Sequence, residues 1–263
     1  MEKLGRAIFE NVVAPRNTSR RGATLPTDTA GSALPLREPC PRCHGVEWLE
    51  RPDREWVRCP CMAVQDNFDS FVRRAKASNL PHPAHERTIG NFERVEGTEE
   101  AVAAVLIFGE PSDPTRILTL AGGKGTGKSH LLEAAGRLFL DTGMTVRYEL
   151  CADLLKRCRA GFHRDAEEGF NTVWEGYLQV DLLVLDDLGG MDSQTPWGVG
   201  ALASLIDDRW RTEKYLAVST NLGMKDVARQ MDERVADRLW DARSGLCRVV
   251  QMTCPSYRTG ETW

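Results

Sequence analysis

Residues 122–130 form the stretch of this sequence whose residue types most clearly suggest chemistry. The stretch reads Gly122, Gly123, Lys124, Gly125, Thr126, Gly127, Lys128, Ser129 and His130. Its first eight residues fit the pattern G-x-x-x-x-G-K-[ST], in which backbone N–H groups surround phosphate oxygens because no Cβ blocks the approach. Lys128 would then reach the β- and γ-phosphates, and Ser129 would bind Mg²⁺. We therefore predict that all nine residues form a nucleoside triphosphate site; the alternative is a glycine-rich turn without a ligand.

Two acidic residues that follow a continuous apolar run add a second part to this site. Asp186 and Asp187 come directly after residues 182–185, which read LLVL. A carboxylate at the end of a buried strand is costly unless it meets a cation. We therefore predict that Asp186 holds Mg²⁺ through water and that Asp187 orients or deprotonates the attacking water. The alternative is a pair of acids in an ordinary turn.

Three further residues are candidates, although their spacing fits two interpretations. Asn221 ends the next strand pattern, where it could polarise the attacking water, but asparagine is also a common turn residue. Arg234 and Arg238 lie four residues apart, on one face of a predicted helix. An arginine presented to the nucleotide of a neighbouring subunit accelerates hydrolysis. Two surface arginines beside Glu233 and Asp237 fit solvated ion pairs equally well.

Four of the eight cysteines are clustered between residues 40 and 61. Cys40, Cys43, Cys59 and Cys61 have the spacing C-x₂-C-x₁₅-C-x-C. Four thiolates suit tetrahedral Zn²⁺, and clustered cysteines in a cytosolic chain indicate metal more often than disulfides. The second pair is one residue shorter than the commoner C-x₂-C, so His44 is an alternative fourth ligand. We predict a structural zinc site.

The elements that must position these residues alternate between apolar strands and amphipathic helices from about residue 93 onward. This alternation predicts an α/β fold with a parallel sheet flanked by helices on both faces. Before it, the sequence predicts a helix over 1–13, a linker over 14–36 and a helix over 62–77. The predicted strands are 116–122, 145–150, 181–189, 214–221 and 246–252. The predicted helices are 99–108, 129–143, 151–162, 167–178, 197–211 and 226–242, the last broken near Asp232.

Composition limits the function classes. The net charge is -4, so the chain is not a polyanion binder by composition, and a contact with nucleic acid would need a local basic patch or repetition around an oligomer. No apolar run approaches the roughly 20 residues that span a bilayer. The first residues, MEKLGRAIFENVV, do not resemble a secretory signal because Glu2 and Glu10 flank a broken apolar stretch. We therefore expect a cytoplasmic protein.

Five separated motifs together resemble a known family. RILTLAGGKGTGKSHLLEAAG, VDLLVLDDLG, STN, ERVADRL and PSYR occur in the order seen in DnaC/DnaI-type helicase loaders and IstB-type transposition ATPases, which belong to the AAA+ class. The resemblance covers about residues 80–258. It implies an AAA+ P-loop core that binds ATP and Mg²⁺ and self-associates in the ATP state. Asp187 stands where AAA+ proteins generally have glutamate, and its shorter reach suggests slow, switch-like hydrolysis.

The resemblance also implies roles for individual residues. Arg238 looks like the arginine finger, Arg258 like the sensor-2 arginine that contacts the γ-phosphate, and Asn221 like sensor 1. Residues 88–92 resemble the segment that packs near the adenine. The family threads single-stranded DNA through a spiral of subunits, and the corresponding basic-aromatic stretch consists of Lys156, Arg157, Arg159 and Phe162. The alternative for this stretch is an amphipathic helix with a solvated basic face and Phe162 in the core.

The resulting organisation has three parts. Residues 1–36 form the helix and flexible linker, residues 37–79 a zinc-binding, helicase-docking module with its helix, and residues 80–263 the AAA+ ATPase domain. The zinc module resembles the plan of DnaI-like loaders, which implies a replicative hexameric helicase and single-stranded DNA as partners. The main alternative is an IstB-type transposition helper that binds DNA and recruits a transposase. A P-loop kinase for a small molecule and a nucleotide-independent zinc adaptor are two further alternatives.

Overall fold

The computed structural model describes residues 42, 48–50, 56–81, 87–190, 195–241 and 243–259. The chain divides into two compact units, Met1–Val57 and Arg58–Trp263. Strand β1 (Trp48–Glu50) pairs with strand β2 (Trp56–Arg58) in a two-stranded sheet.

The larger unit contains a five-stranded sheet and the helices that cover it. Its strands are β3 (Ile117–Gly122), β4 (Val146–Leu150), β5 (Leu182–Leu188), β6 (Tyr215–Thr220) and β7 (Cys247–Met252). Its helices are α1 (Pro60–Ala77), α2 (Glu99–Ile107), α3 (Lys128–Asp141), α4 (Cys151–Ala160), α5 (Phe170–Gln179), α6 (Pro196–Arg211), α7 (Met224–Gln230) and α8 (Glu233–Leu239). Each of the five strands predicted from the sequence is present.

The sheet is parallel throughout, with the order β4-β5-β6-β3-β7. The predicted α/β fold is therefore confirmed. Because the carboxyl ends of parallel strands lie along one edge, the ends of β3, β5 and β6 bring the glycine loop, the two aspartates and Asn221 to the same side of the molecule. Strand β6 separates β3 from β5, so the loop and the acidic strand end lie two strand positions apart along this edge.

Apolar side chains on both faces of the sheet are buried, because helices cover each face. All six residues of β3 are buried, as a central parallel strand requires. Leu118 and Leu120 pack in one core with residues of α2 and α3. Leu183 and Leu185 pack in a second core with residues of α4 to α8. These two cores fix the strand ends that carry the site.

The turn after α1 covers β4, which is an edge strand of the sheet. The carbonyl oxygen of Ser78 accepts a hydrogen bond from the backbone N–H of Tyr148 at 2.7 Å. The side chain of Asn79 donates to the Tyr148 carbonyl oxygen at 3.0 Å. A covered edge strand cannot pair with another chain. The helix predicted over residues 62–77 was expected to be part of the module 37–79. In the structure, helix α1 lies within the unit that begins at Arg58.

Helices α7 and α8 are separate, as the predicted break near Asp232 requires. Asp232 is the N-cap of α8, and its carboxylate accepts a hydrogen bond from the backbone N–H of Arg234 at 2.7 Å. Aspartate is a favoured N-cap because its side chain accepts from one of the unpaired N–H groups of the first turn. Within the described ranges, we find no helix with the length and apolar character needed to cross a membrane.

Candidate nucleotide-binding site

The glycine loop joins the end of β3 to the start of α3, and three of its glycines have a positive φ. The angles are 152° at Gly122, 80° at Gly125 and 92° at Gly127. Residues with a Cβ rarely adopt such angles. Lys124 is exposed and Ser129 lies half-buried in the first turn of α3. The loop therefore has the bare backbone and the helix N-terminus that together suit phosphate oxygens.

The Lys128 ammonium lies inside this loop. Its Nζ donates to the carbonyl oxygens of Gly122 at 2.8 Å and Gly123 at 2.5 Å. Burial lowers the pKa of Lys128, and the charges of Asp186 and Asp187 oppose this change. The lysine is thus placed between the loop and the acidic strand, where it can neutralise an anion held by the loop.

Asp186 is buried at the end of β5 and held by three donors. Tyr148 Oη donates to Asp186 Oδ2 at 2.5 Å, and the Ser219 hydroxyl and the backbone N–H of Asp187 donate to Oδ1. A buried carboxylate needs such partners or a cation. Hydrogen bonds of this kind orient a carboxylate that serves a metal ion. Asp186, together with Ser129, fits the position of a Mg²⁺-holding residue.

Asp187 is exposed and has φ of 58°, in the left-handed region. The pairing of β5 with β6 is irregular between Leu185 and Leu188, so the two aspartates lie in a local bulge of the ladder. Bulges re-aim side chains and are frequent beside active sites. Asn221 Nδ2 donates to Asp187 Oδ1 at 3.2 Å. The structure therefore brings together the two residues that the sequence analysis assigned to the attacking water.

His130 contacts the segment 88–92 that the family resemblance placed near the adenine. Its Nε2 lies 2.8 Å from the carbonyl oxygen of Thr88 and 3.1 Å from Asn91 Oδ1, so Nε2 carries a hydrogen. The Phe92 ring meets the imidazole edge-on, with 5.0 Å between centroids. A Cβ on Gly127 would come within 2.7 Å of the same ring. His130 thus holds this segment against the first turn of α3, beside the loop.

The PSYR segment lies against the other side of the glycine loop. The backbone N–H of Tyr257 donates to the carbonyl oxygen of Gly125 at 2.9 Å, and a Cβ on Gly125 would come within 2.3 Å of Ser256 Oγ. The Cys254 thiol lies 3.6 Å from the Thr126 carbonyl oxygen. Arg258 follows directly and is exposed. The C-terminal segment therefore carries Arg258 to the loop.

Arg238 and Arg234 lie in different surroundings, although both are on α8. Arg238 Nε donates to Asp207 Oδ1 at 2.9 Å, and its guanidinium stacks 4.0 Å above the Trp210 ring. Arg234 instead pairs with Asp232 of its own turn at 3.1 Å and is about 75% exposed. The helix face predicted from the spacing thus carries one arginine held against α6 and one directed to solvent.

The basic stretch 156–162 is only partly a free basic face. Arg157 pairs with Glu168 at 2.5 Å, and Lys156 lies 3.4 Å from Asp153. Arg159 donates to Thr195 Oγ1 and lies over the Trp197 ring. Phe162 is 60% exposed and stacks on Phe170 with 4.5 Å between centroids. The alternative that placed Phe162 in the core is therefore wrong.

The predicted zinc ligands lie mostly where the structure gives no side chains. Cys40, Cys43 and His44 are outside the described residues. Cys59 is buried and is the N-cap of α1, and Cys61 follows in its first turn. In the described part of the chain, no group of three or more acidic, cysteine or histidine residues could hold a metal ion. The zinc site stays a prediction.

Sequence reasoning missed Tyr148 and Ser219, which hold Asp186. Ser219 belongs to the STN motif, but only its asparagine was singled out. Tyr148 lies on β4, and its backbone pairs beside β5 near the acidic end. The available signal was positional, because polar residues near the carboxyl end of a neighbouring parallel strand lie beside the predicted carboxylate.

Comparisons with known proteins agree with this geometry. Residues 72–262 match the family described as IstB-like ATP binding protein. The uncharacterized protein YdaV of Escherichia coli (strain K12) is 32% identical over 119 residues, 45% of this chain and 47% of YdaV. The replicative helicase loader DnaC of Escherichia coli (strain K12) is 27% identical over 209 residues, 78% of this chain and 83% of DnaC.

A crystal structure of the DnaC helicase loader has the same fold. Its TM-score is 0.56 at 19% identity, and the match covers 64% of this chain and 97% of that one. The chain spans about half the length of YdaV and most of the length of DnaC. The family match includes the glycine loop, the aspartates, Asn221 and the C-terminal segment. The chain therefore belongs to the family of IstB-like ATP-binding proteins, and it is an ATPase of the AAA+ class.

Proposed function

We propose that this chain is an ATP-dependent loader that places a replicative hexameric helicase on single-stranded DNA in the cytoplasm. One observation carries the proposal: the similarity to a replicative helicase loader extends over 83% of that protein's length. A match limited to the glycine loop would fit any P-loop protein. The chain would bind the helicase in its ATP-bound state and release it after hydrolysis.

ATP would be held by residues 122–130, with Lys128 at the phosphates and Ser129 and Asp186 at Mg²⁺. Bound Mg²⁺ neutralises phosphate charge. Asn221 Nδ2 donates to Asp187 Oδ1 at 3.2 Å, and the two side chains held in this way would together orient one water beside them. Arg258, carried to the loop by the PSYR segment, would contact the γ-phosphate. The short reach of Asp187 suits slow hydrolysis, which a release switch needs.

Arg238 would complete the site of a neighbouring subunit in the ATP-bound assembly. Asp207 and Trp210 hold its guanidinium in one orientation at the surface, where it is about 32% exposed. An arginine positioned in advance loses less side-chain entropy when it meets the phosphate of a partner. The single-stranded DNA would lie along Lys156, Arg159 and Phe162, with a smaller contribution from Arg157 because it pairs with Glu168.

The zinc module would be the part that docks on the helicase. Cys40, Cys43, Cys59 and Cys61 would hold Zn²⁺ and order a segment too small to have a core of its own. Trp48 and Trp56 lie on β1 and β2, between the two cysteine pairs in the sequence. Zinc content measured on the purified full chain tests this part, with one ion per chain expected and none contradicting it.

Co-purification with the replicative helicase from the same host tests the loader proposal. The full chain with ATP should retain the helicase and increase its unwinding of DNA that carries a single-stranded gap. Lys128→Ala should abolish the increase, whereas Lys225→Ala, which removes an exposed lysine on α7, should leave it unchanged. A helicase that is neither retained nor stimulated would contradict the proposal.

A second candidate function follows from the family match itself, because its description refers to IstB-like proteins. In that case the chain would bind duplex DNA and recruit a transposase. ATP-dependent binding of duplex DNA without any retention of helicase would favour this function. Lys128→Ala removes the lysine predicted to bind ATP, whereas Lys225→Ala does not. Equal binding of duplex DNA by the two variants would therefore contradict this function, because ATP would then have no effect on DNA binding.

A further inference from the structure

A cavity of about 440 Å³ lies among the end of α1, strand β4, α4 and α5. Its charged lining consists of Arg73, Arg74, Arg147, Arg157 and Glu168. No lining residue belongs to the glycine loop, to the acidic end of β5 or to the C-terminal segment. The volume lies within the range of small-molecule pockets, roughly 300–1,000 Å³. The cavity is therefore a second place where this unit could hold a ligand.

The charges at this cavity leave a cationic excess. Four arginines line it, whereas two carboxylates pair with them. Arg147 donates to Glu149 Oε1 at 2.8 Å, and Arg157 pairs with Glu168 at 2.5 Å and lies 3.9 Å from Glu149. Four positive and two negative groups give an excess of two positive charges. A concave wall with this excess attracts an anion.

The Arg74 side chain has a hydrogen-bond donor that no protein acceptor satisfies in the described structure. Its Nη1 donates to Ser70 Oγ at 2.7 Å. Its Nε is buried and has no hydrogen-bond partner within the described ranges. Buried N–H groups in folded proteins are nearly always paired. An anion that reached this group from the cavity would supply the missing acceptor.

The remaining lining is mostly apolar, with two threonines and one aromatic side chain. Ala77, Val146, Val173 and Val180 line the cavity together with Tyr177. Such a wall can pack against the uncharged part of a ligand. A bare inorganic anion would leave this surface uncovered. The lining therefore suits a molecule that has an anionic end and a flat or apolar body.

We propose that this cavity binds a nucleoside phosphate, independently of the ATP held by the glycine loop. Guanidinium groups match phosphate oxygens through paired, charge-assisted hydrogen bonds. The phosphate would lie among Arg73, Arg74 and Arg147, and the nucleoside would lie against the more accessible part of the wall at Thr172, Gly176 and Val180. Because α1 forms one wall, an occupied cavity would hold α1 against the edge strand β4.

Isothermal titration of GMP into full-length Lys128→Ala tests the proposal, because that substitution disables the glycine loop. GMP should bind to this background, and inorganic phosphate should bind more weakly because it does not cover the apolar wall. Adding Arg73→Gln and Arg74→Gln should weaken GMP at least about tenfold, as expected for lost hydrogen bonds to charged groups. Adding Lys76→Gln instead, which removes an exposed charge from the same helix, should change the affinity less than about twofold.

Hydrogen–deuterium exchange keeps the test independent of how the variants fold. GMP should protect residues 145–147 and 172–177 in the Lys128→Ala chain, and circular dichroism should show that the arginine variants keep their helices. Absence of GMP binding at millimolar concentration would overturn the proposal. Protection confined to residues 122–129, equal weakening by Lys76→Gln, or binding of malonate but not GMP would overturn it as well.

Discussion

Gly122 illustrates how one residue can serve packing in addition to the phosphate binding that is predicted for the glycine loop. The pattern G-x-x-x-x-G-K-[ST] requires this glycine for the loop itself. In the folded chain, however, a Cβ at Gly122 would come within 2.3 Å of the carbonyl oxygen of Met252 on β7. A backbone atom of a paired strand cannot move aside without opening the sheet. The first glycine is therefore needed by the neighbouring strand.

Gly122→Ala should destabilise the chain more than Gly143→Ala. Both glycines have a positive φ, 152° at Gly122 and 92° at Gly143, and backbone strain of this kind costs alanine about 1–3 kcal/mol. Nothing lies within 4 Å of a Cβ at Gly143, whereas Gly122 would meet Met252. Urea unfolding measures the difference. Equal midpoints for the two variants would mean that contact with β7 does not restrict this position.

Tyr148→Phe should weaken Mg²⁺ binding because Asp186 loses one of its donors. Partners of this kind typically change metal affinity or activity by about 10–100-fold. We therefore expect the Mg²⁺ concentration for half-maximal ATP turnover to rise by at least about tenfold.

Thr220→Val is the matched control for Tyr148→Phe. The Thr220 hydroxyl donates to the carbonyl oxygen of Leu188 at 2.8 Å and accepts from the backbone N–H of Leu222 at 3.0 Å, so its hydrogen bonds in the described structure do not involve Asp186. This variant should lose about 1 kcal/mol of stability and keep the Mg²⁺ dependence of the parent chain. The role assigned to Tyr148 would be refuted by identical Mg²⁺ titrations for the two variants.

At the scale of elements, Arg209 of α6 joins three segments that the sequence separates widely. It is fully buried and donates to the carbonyl oxygens of Tyr177, Val180, Asp181 and Tyr215. Burial lowers its pKa to about 10, so it stays charged at neutral pH. The guanidinium thus links α6 by hydrogen bonds to the end of α5 and to the starts of β5 and β6.

Arg209→Met should destabilise the chain by about 3–5 kcal/mol, because it leaves several buried carbonyl oxygens without donors. Arg211→Gln, two residues along the same helix, should cost less than about 1 kcal/mol, since its side chain is exposed. Unfolding of both variants in guanidinium chloride measures the difference between their free energies of unfolding. A loss below about 1 kcal/mol for Arg209→Met would show that water replaces these bonds readily.

At the scale of the whole molecule, the ATP site is expected to be shared between two copies of the chain. Arg238 lies on α8 and is held against α6, whereas the loop lies at the carboxyl edge of the sheet. We expect Arg238→Ala to keep ATP affinity and to lose at least about 10³-fold in turnover, as arginine fingers generally do.

Mixed assemblies test whether Arg238 acts on a neighbouring copy. Arg238→Ala and Lys128→Ala should each be inactive alone, and their mixture should recover part of the turnover, because some interfaces then combine an intact loop with an intact arginine. Arg234→Ala is the control on the same helix. No recovery in the mixture, or full activity of Arg238→Ala, would exclude action between subunits.

Much of the fold could be predicted from the sequence because its signals are local. The five strands, the parallel sheet and the break at Asp232 follow from runs of apolar residues and from a capping residue. The exposure of Phe162 could not be predicted in this way. Helical spacing fits a core position as well as a surface one, and only the packing of Phe170 and Trp197 beside it decides.

The sequence by itself determined that a glycine-rich turn precedes Lys128 and predicted that residues 122–130 bind phosphate, because backbone freedom and side-chain types are properties of consecutive residues. It also determined that Asp186 and Asp187 end a buried strand. Only the tertiary structure decided which distant groups complete the site, such as Tyr148, and it alone brought four arginines to one cavity. The physical reason is that hydrogen bonds and charge pairs depend on distances through space, which the order of strands in the sheet sets.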